Sequence, residues 1–361
     1  MSRSSDPYDN AASEPLSERE QEILRLVVKS FVHTAGPVGS RFLARSYPLG
    51  LSAASIRNTM SDLEEAGYLD HPYTSAGRIP TELGYRTFVD ELMEASSLAP
   101  VEKRLIRMEL DSIMGNTEAL LQESSRMLGR LSNLLGIVLS PNLSTGVLDR
   151  LEVVPLSSSR VMFVISVRGG LVKTIVLEID SELKREDLER VVAMLNERLA
   201  GLTLEEIRRT YAQRVRDLDD RTCIVRLVLN QSATLFSEGV GGRRFRFGGA
   251  QNIMTQPEFQ APEDLRSLVE LLEDEHFIVQ LLEDRMPASQ DEAGRALISI
   301  GSENLEGKTD KYSIVTARYR LGETVGTVGV IGPTRMDYGR VVALVEDMAS
   351  LLSRLPEDDS S

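Results

Sequence analysis

The sequence predicts an α+β chain: an N-terminal winged helix-turn-helix, then a second α+β domain interrupted by an inserted, mainly helical unit. Three observations predict it. Helical periodicity with explicit start and stop signals recurs three times before a turn-rich hairpin segment within residues 16–97. Strand-like runs lie on both sides of a long helical block. The chain has 361 residues, 42% of them hydrophobic, too many for one ordinary core and too apolar for wholesale disorder.

The first fifteen residues are rich in Ser, Asp, Asn and Pro, and read as a disordered lead with no secretory core. Ser17 with Glu20 is a capping box, after which Ile23, Leu24, Val27, Val28, Phe31 and Val32 recur at helical spacing as far as Gly36-Pro37. Gly39-Ser40 opens a short second helix that Tyr47-Pro48 ends. Ser52 caps a third, which stops at Gly67. At 100° per residue, Ile56, Met60 and Leu63 form a narrow apolar stripe, and Ala54, Arg57, Asn58 and Ser61 gather on the opposite face. The stretch His71–Gly77 then reads as the loop of a hairpin, followed by a helix capped at Thr81. A frame of this kind places its third helix in a DNA major groove while the hairpin touches the backbone.

A net charge of −14 opposes any polyanion unless basic residues are gathered locally. They are. Between Leu24 and Ser61 stand Arg25, Lys29, Arg41, Arg45 and Arg57 without one acid, where a chain with 55 acidic residues among 361 would carry about six. Arg57 and Asn58 are therefore the candidate base readers, flanked by Ala54 and Ser61, with Ser52 and Ser55 near phosphates at the helix start. Arg41, and Thr74, Ser75 and Arg78 from the hairpin, complete the candidate DNA-binding set. One such head binds weakly, so two copies on a two-fold site are expected. The alternative for this segment is a three-helix packing module with a solvated basic face.

Residues 98–181 and 251–355 are assigned to the second α+β domain, 182–250 to the insert and 356–361 to an acidic tail. Val161–Val167 and Leu171–Leu177 flank Arg168-Gly169-Gly170 as a hairpin, and Leu188, Val192, Leu195 and Leu199 mark an amphipathic helix face as the candidate dimer interface. Pro262–Asp284 reads as one acid-rich helix with a solvated face.

No catalytic or metal constellation emerges. Cys223 is the single cysteine, which fits a reducing cytoplasm, and it heads an apolar run read as a strand. Three histidines form no ligand cluster. Gly239–Gly249 holds five glycines and three arginines but no Gly-Lys-Ser/Thr, so it reads as turn and strand. The longest charge-free run, Leu131–Leu148, is too polar to span a membrane. No cofactor is expected.

Four N-terminal motifs carry a family resemblance. Leu16-Ser-Glu-Arg-Glu-Gln-Glu-Ile-Leu24, Gly36-Pro-Val-Gly-Ser-Arg41, Leu51-Ser-Ala-Ala-Ser-Ile-Arg-Asn58 and Thr74-Ser-Ala-Gly-Arg-Ile-Pro-Thr81 resemble the bacterial heat-inducible transcription repressor family HrcA. Gly248-Gly-Ala-Gln-Asn252 and Val328-Gly-Val-Ile-Gly-Pro-Thr-Arg-Met-Asp-Tyr338 are similar to its later motifs, so the likeness runs through nearly the whole chain after residue 15. The lead and the acidic tail are outside the shared pattern. The resemblance implies a winged-helix domain, a GAF-like domain and a dimerising domain inserted into it. It also implies repression of chaperone operons through an inverted repeat, CIRCE, with a GroE-type chaperonin keeping the repressor active. Two rivals stay open: a regulator whose GAF-like domain senses a small molecule, and an enzyme built on the central domain.

Overall fold

Ser17 and Glu20 start the first helix by satisfying each other's backbone. The computed structural model describes residues 15–72, 77–113, 116–169, 171–179, 185–216, 224–236, 245–283, 294–304 and 310–354. In it the Ser17 hydroxyl accepts the Glu20 N–H at 3.4 Å, and the Glu20 carboxylate accepts the Ser17 N–H at 2.8 Å. The Ser17 hydrogen bonds hold the Glu20 carboxyl below its ordinary pKa. α1 (Glu18–Thr34) buries Ile23, Leu24, Val27 and Val28 and ends at Ala35, which takes the left-handed conformation at φ 54° that glycine would adopt more easily. α2 (Ser40–Ser46) follows, then α3 (Ala53–Glu65), whose first turn is capped by Ser52 accepting the Ser55 N–H at 3.1 Å. Ile56, Met60 and Leu63 face inward as their spacing predicts, joined by Thr59.

β1 (Leu69–Asp70) and β2 (Ile79–Pro80) pair antiparallel, Leu69 opposite Pro80. Val38 adds a third strand-like contact through reciprocal backbone bonds with Arg78 at 2.8 and 2.9 Å. Gly77 permits this approach, because a Cβ there would lie 2.4 Å from the Val38 backbone. Thr81 caps α4 (Glu82–Thr87), which runs into one turn of π-helix at Phe88–Leu92.

Residues 1–96 form one compact unit with 299–314 and 332–341. Arg86 explains part of this grouping: its Nε and Nη2 donate to the two Glu303 carboxylate oxygens at 2.8 and 2.9 Å. Glu82 accepts the Ser302 backbone N–H at 3.1 Å, and Arg335 donates to the Val32 carbonyl at 2.8 Å. Tyr85 packs on Tyr338, whose hydroxyl shares a 2.7 Å hydrogen bond with Ser313 and whose burial pushes its pKa up.

The second unit comprises 97–298, 315–331 and 342–361. In chain order the remaining elements are α5 (Pro100–Asp111), α6 (Thr117–Ser132), β3 (Leu135–Leu139), β4 (Leu148–Ser157), β5 (Arg160–Val167) and β6 (Leu171–Glu178). Then come α7 (Arg185–Leu199), α8 (Leu204–Arg214), α9 (Ile224–Asn230), α10 (Ser232–Leu235), β7 (Phe245–Gly248) and α11 (Ala250–Met254). The last are α12 (Pro262–Glu273), α13 (Glu275–Glu283), β8 (Leu297–Ile300), β9 (Tyr312–Leu321), β10 (Thr324–Pro333) and α14 (Tyr338–Arg354).

Two larger sheets result, ordered β7-β3-β10-β9-β8 and β4-β5-β6. The strands are shared between the sheets differently from the expected grouping. β3 pairs directly with β7, Gly136 opposite Gly248, so everything between Leu139 and Phe245 is an excursion from the five-stranded sheet. The strands of 148–178, expected in the interrupted domain, belong to that excursion, and Phe245–Gly248, expected in the insert, belong to the larger sheet. Periodicity identifies a strand but not its partner; consecutive hairpins pair β4, β5 and β6 with one another instead.

Two local readings also change. The apolar run after Cys223, expected as a strand, is helix α9, burying Ile224, Val225 and Val228 at helical spacing; Cys223 itself lies outside the described residues. The acid-rich helix breaks at Asp274, whose ψ of 84° ends α12 and whose carboxylate accepts the Phe277 N–H at 3.0 Å.

α6 lies backbone-to-backbone on β3 and β7. A Cβ on Gly129 would stand 2.4 Å from the Gly248 carbonyl oxygen, and one on Gly248 would stand 2.5 Å from the Arg126 Cα. Asn252 locks the crossing by donating to the Gly129 carbonyl at 2.8 Å. At the edge of the smaller sheet, Asn196 from α7 substitutes for a missing strand: its amide accepts the Leu151 N–H and donates to the Leu151 carbonyl, both at 2.8 Å.

Both contacts make stability predictions. Gly129→Ala must push α6 off the sheet and should cost about 1–3 kcal/mol in urea unfolding of the full chain. Asn196→Ala leaves both Leu151 groups without that partner, and should cost a similar ~1–3 kcal/mol and raise aggregation measured by light scattering. An unchanged midpoint for either variant would contradict its contact.

Candidate nucleic-acid interface

The start of α3 is capped by Ser52, while α2 begins at Gly39 with no side-chain cap. Ala54, Arg57 and Asn58 are exposed on the face of α3 opposite Ile56, Met60 and Leu63, with Ser61 half-buried beside them. The four predicted residues therefore do share one face. Arg41 is exposed on α2, as is Arg45 one turn later.

The arginines of this unit divide by their partners. Arg25 donates to Glu94 at 2.7 Å and also meets Glu22, and Lys29 lies 3.7 Å from Glu94. Two of the five basic residues in the acid-free stretch are thus paired with acids outside it, Glu22 just before its start and Glu94 well beyond its end. Arg41, Arg45 and Arg57 have no hydrogen bond or ion pair among the described residues, so the unpaired cations of the acid-free stretch lie on α2 and the first half of α3.

Three expectations change in detail. Ser52 is exposed, but its oxygen already caps α3. The Ser55 hydroxyl is also taken: Arg19 Nη2 donates to the Ser55 oxygen at 2.7 Å and to its carbonyl at 2.8 Å. Arg78, expected on the hairpin as a DNA contact, is half-buried and pairs with Glu64 at 2.5 Å, while Glu64 also holds His71 Nδ1. Arg78 thus braces the base of the hairpin against the end of α3. Thr74 and Ser75 lie outside the described residues.

Arg19 is the residue that sequence reasoning missed. It sits among Glu18, Glu20 and Glu22, 36 positions from Ser55, and nothing local marks it as a neighbour of α3. Its guanidinium nonetheless adds positive charge at the first turn of that helix, where the backbone N–H groups already favour an anion.

The residues expected at the dimer interface are differently placed. Leu188, Leu195 and Leu199 are fully buried in the chain's own core, on the side of α7 that packs on β4, and only Val192 is half-exposed. An amphipathic stripe buries itself in whichever apolar surface is nearest, and β4–β6 supply it within the same chain.

The remaining candidates resolve into architecture. The described end of the glycine-rich stretch is strand β7 under α6, not a phosphate cradle. Among the described residues no group of three or more His, Cys, Asp or Glu could hold a metal ion, and no helix is long and apolar enough to cross a membrane.

Residues 118–342 match the family described as the HrcA protein C terminal domain. The heat-inducible transcription repressor HrcA of Chlorobium phaeobacteroides (strain BS1) is 41% identical over 343 residues, spanning 94% of this chain and 97% of that protein. That of Chlorobium luteolum is 42% identical over 354 residues, spanning 96% and 99%. A crystal structure at 2.2 Å resolution, described as that of a hypothetical protein, shares the fold with a TM-score of 0.63 at 23% identity, over 94% of this chain and 98% of that one. With identity at this level carried across almost the entire length, the chain belongs to the HrcA family of heat-inducible transcription repressors.

Proposed function

We propose that this chain is a sequence-specific DNA-binding repressor of chaperone operons, acting as a dimer on an inverted repeat of the CIRCE type, in the cytoplasm and without catalytic activity. The observation that carries the reading is the exposed trio Arg41, Arg45 and Arg57, without a partner among the described residues, from a stretch of 38 residues that holds no acid in a chain with net charge −14. α1–α3 with β1 and β2 act as a winged helix-turn-helix, α3 entering the major groove so that Arg57 and Asn58 meet base edges. Arg41, Arg45 and Arg19 hold phosphates beside it, and Arg78 keeps the hairpin in place. Thr74 and Ser75, in the sequence between β1 and β2, are further candidates for contact with the DNA backbone.

The five-stranded sheet with its helices is the GAF-like domain, and the excursion between β3 and β7 is the inserted dimerising domain. Exposed Val154, Val172 and Val176 on the outer face of β4–β6 support that role better than the buried face of α7. The excursion also makes folding depend on distant contacts, since β3 must wait for β7 more than 100 residues later. A GroE-type chaperonin that assists this step couples repression to heat: when unfolded clients occupy it, less repressor reaches the DNA-binding state.

Two experiments test the reading. Arg57→Ala should keep the fold, judged by circular dichroism, and lose about 1–3 kcal/mol of operator affinity in fluorescence anisotropy. Full affinity in a folded variant would remove Arg57 as a base reader. Denatured repressor diluted into buffer should regain operator binding in higher yield with chaperonin and ATP, and with no metabolite added. A yield indifferent to chaperonin, together with a small molecule that switches affinity, would favour ligand sensing instead.

A further inference from the structure

α5 carries two apolar faces, and its own chain covers one of them. Ile106 and Leu110 are buried, whereas Val101, Leu105 and Met108 are 66%, 59% and 62% exposed. At 100° per residue these three fall within about 60° of one another, on the side away from Leu110. Single exposed apolar residues are ordinary; three in one helical register form a seam.

In heptad terms Val101 and Met108 occupy d positions and Leu105 an a position. Glu102 and Glu109 then stand at e, and Arg104 and Asp111 at g. We propose that α5 packs in parallel against α5 of a second copy of this chain, along a two-fold axis, with Val101, Leu105 and Met108 meeting their counterparts. The proposal rests on the dimeric reading above and names a contact within it.

Charge selects both the occupant and the direction. In a parallel pair a g residue faces the e residue five positions later in the other helix, which sets Arg104 against the partner subunit's Glu109, twice by symmetry. No like charges meet. An antiparallel pair would set e against e and bring Glu102 toward Glu109. Arg104 is available, for it has no partner among the described residues, whereas Arg107 meets Asp111 at 3.7 Å and Arg126 meets Glu123 at 3.4 Å. Glu109 gives one oxygen to Arg130 at 2.8 Å and keeps the other. Parallel helices also bring both chain segments that precede Pro100 to the same end, as two heads on one inverted repeat require. Three side chains per copy bury less than the roughly 1,200 Å² of a stable interface, so this seam orients a dimer that other surfaces help to hold.

The test uses the full chain with Cys223→Ser, its single cysteine, and one new cysteine at a time: Val101→Cys, Leu105→Cys, Met108→Cys, and Lys103→Cys as a control on the far side of the helix. Under mild oxidation the first three should each form disulfide-linked homodimers and Lys103→Cys should not. Sedimentation reports the dimer independently. A dimer that fails to cross-link at 105, or that cross-links at 105 but at neither 101 nor 108, overturns the parallel seam and leaves the dimeric reading standing; a chain monomeric at all concentrations overturns both. In the native-cysteine chain, Arg104→Glu and Glu109→Arg should each weaken association about tenfold, and the double swap should restore it. Failure of the swap to restore association would overturn the proposed direction.

Discussion

The backbone contact between α6 and β7 is the constraint on which the larger unit depends. Gly129 and Gly248 bring helix and strand closer than any side chain would allow, and this approach seats β7 beside β3. Because β7 returns after an excursion of more than 100 residues, that one pairing completes the five-stranded sheet and leaves β4–β6 as a sheet of their own, with α7 packed on β4. The small sheet is then left with an edge, which Asn196 and the backbone of Gly201 and Leu202 cover. A motif that resembles a phosphate loop on paper is therefore the keystone of packing.

A second constraint is electrostatic. An acidic chain presents a cationic surface only where its arginines are kept from their own acids. In the N-terminal unit Arg25, Lys29, Arg78 and Arg86 are matched to Glu94, Glu64 and Glu303, while Arg41, Arg45 and Arg57 are left facing water. The pairs are structural braces, and the unpaired residues supply the field that a polyanion would feel. The same distinction isolates Arg104 on α5.

The closing motif around Val328–Tyr338 acquires a physical meaning from the N-terminal unit. Arg335 reaches the end of α1, and the Tyr338 ring packs tilted against Tyr85, while Glu303 grips Arg86 in a bidentate pair. Charge-assisted bonds between segments more than 200 residues apart hold the C-terminal pieces to α1 and α4.

Local signals were legible wherever a residue answers to its immediate neighbours. The caps at Ser17, Ser52 and Thr81, the inward stripe of α3, the hairpin at Arg168–Gly170 and the outward face of Ala54, Arg57, Asn58 and Ser61 all follow from spacing and backbone satisfaction within a few residues. What spacing cannot carry is the identity of a distant partner. Whether a strand at 148–178 joins one sheet or another depends on which edge is vacant once β3 and β7 have met. An apolar stripe at Leu188–Leu199 is identical in sequence whether it buries against β4 or a second subunit, and Arg78 reads as exposed until Glu64 is beside it. Sequence alone determined the N-terminal helices, their caps at Ser17, Ser52 and Thr81, and the acid-free stretch between Leu24 and Ser61. Tertiary structure decided which charges remain unpaired and which apolar faces remain uncovered, because both are settled by groups that lie tens to hundreds of residues away.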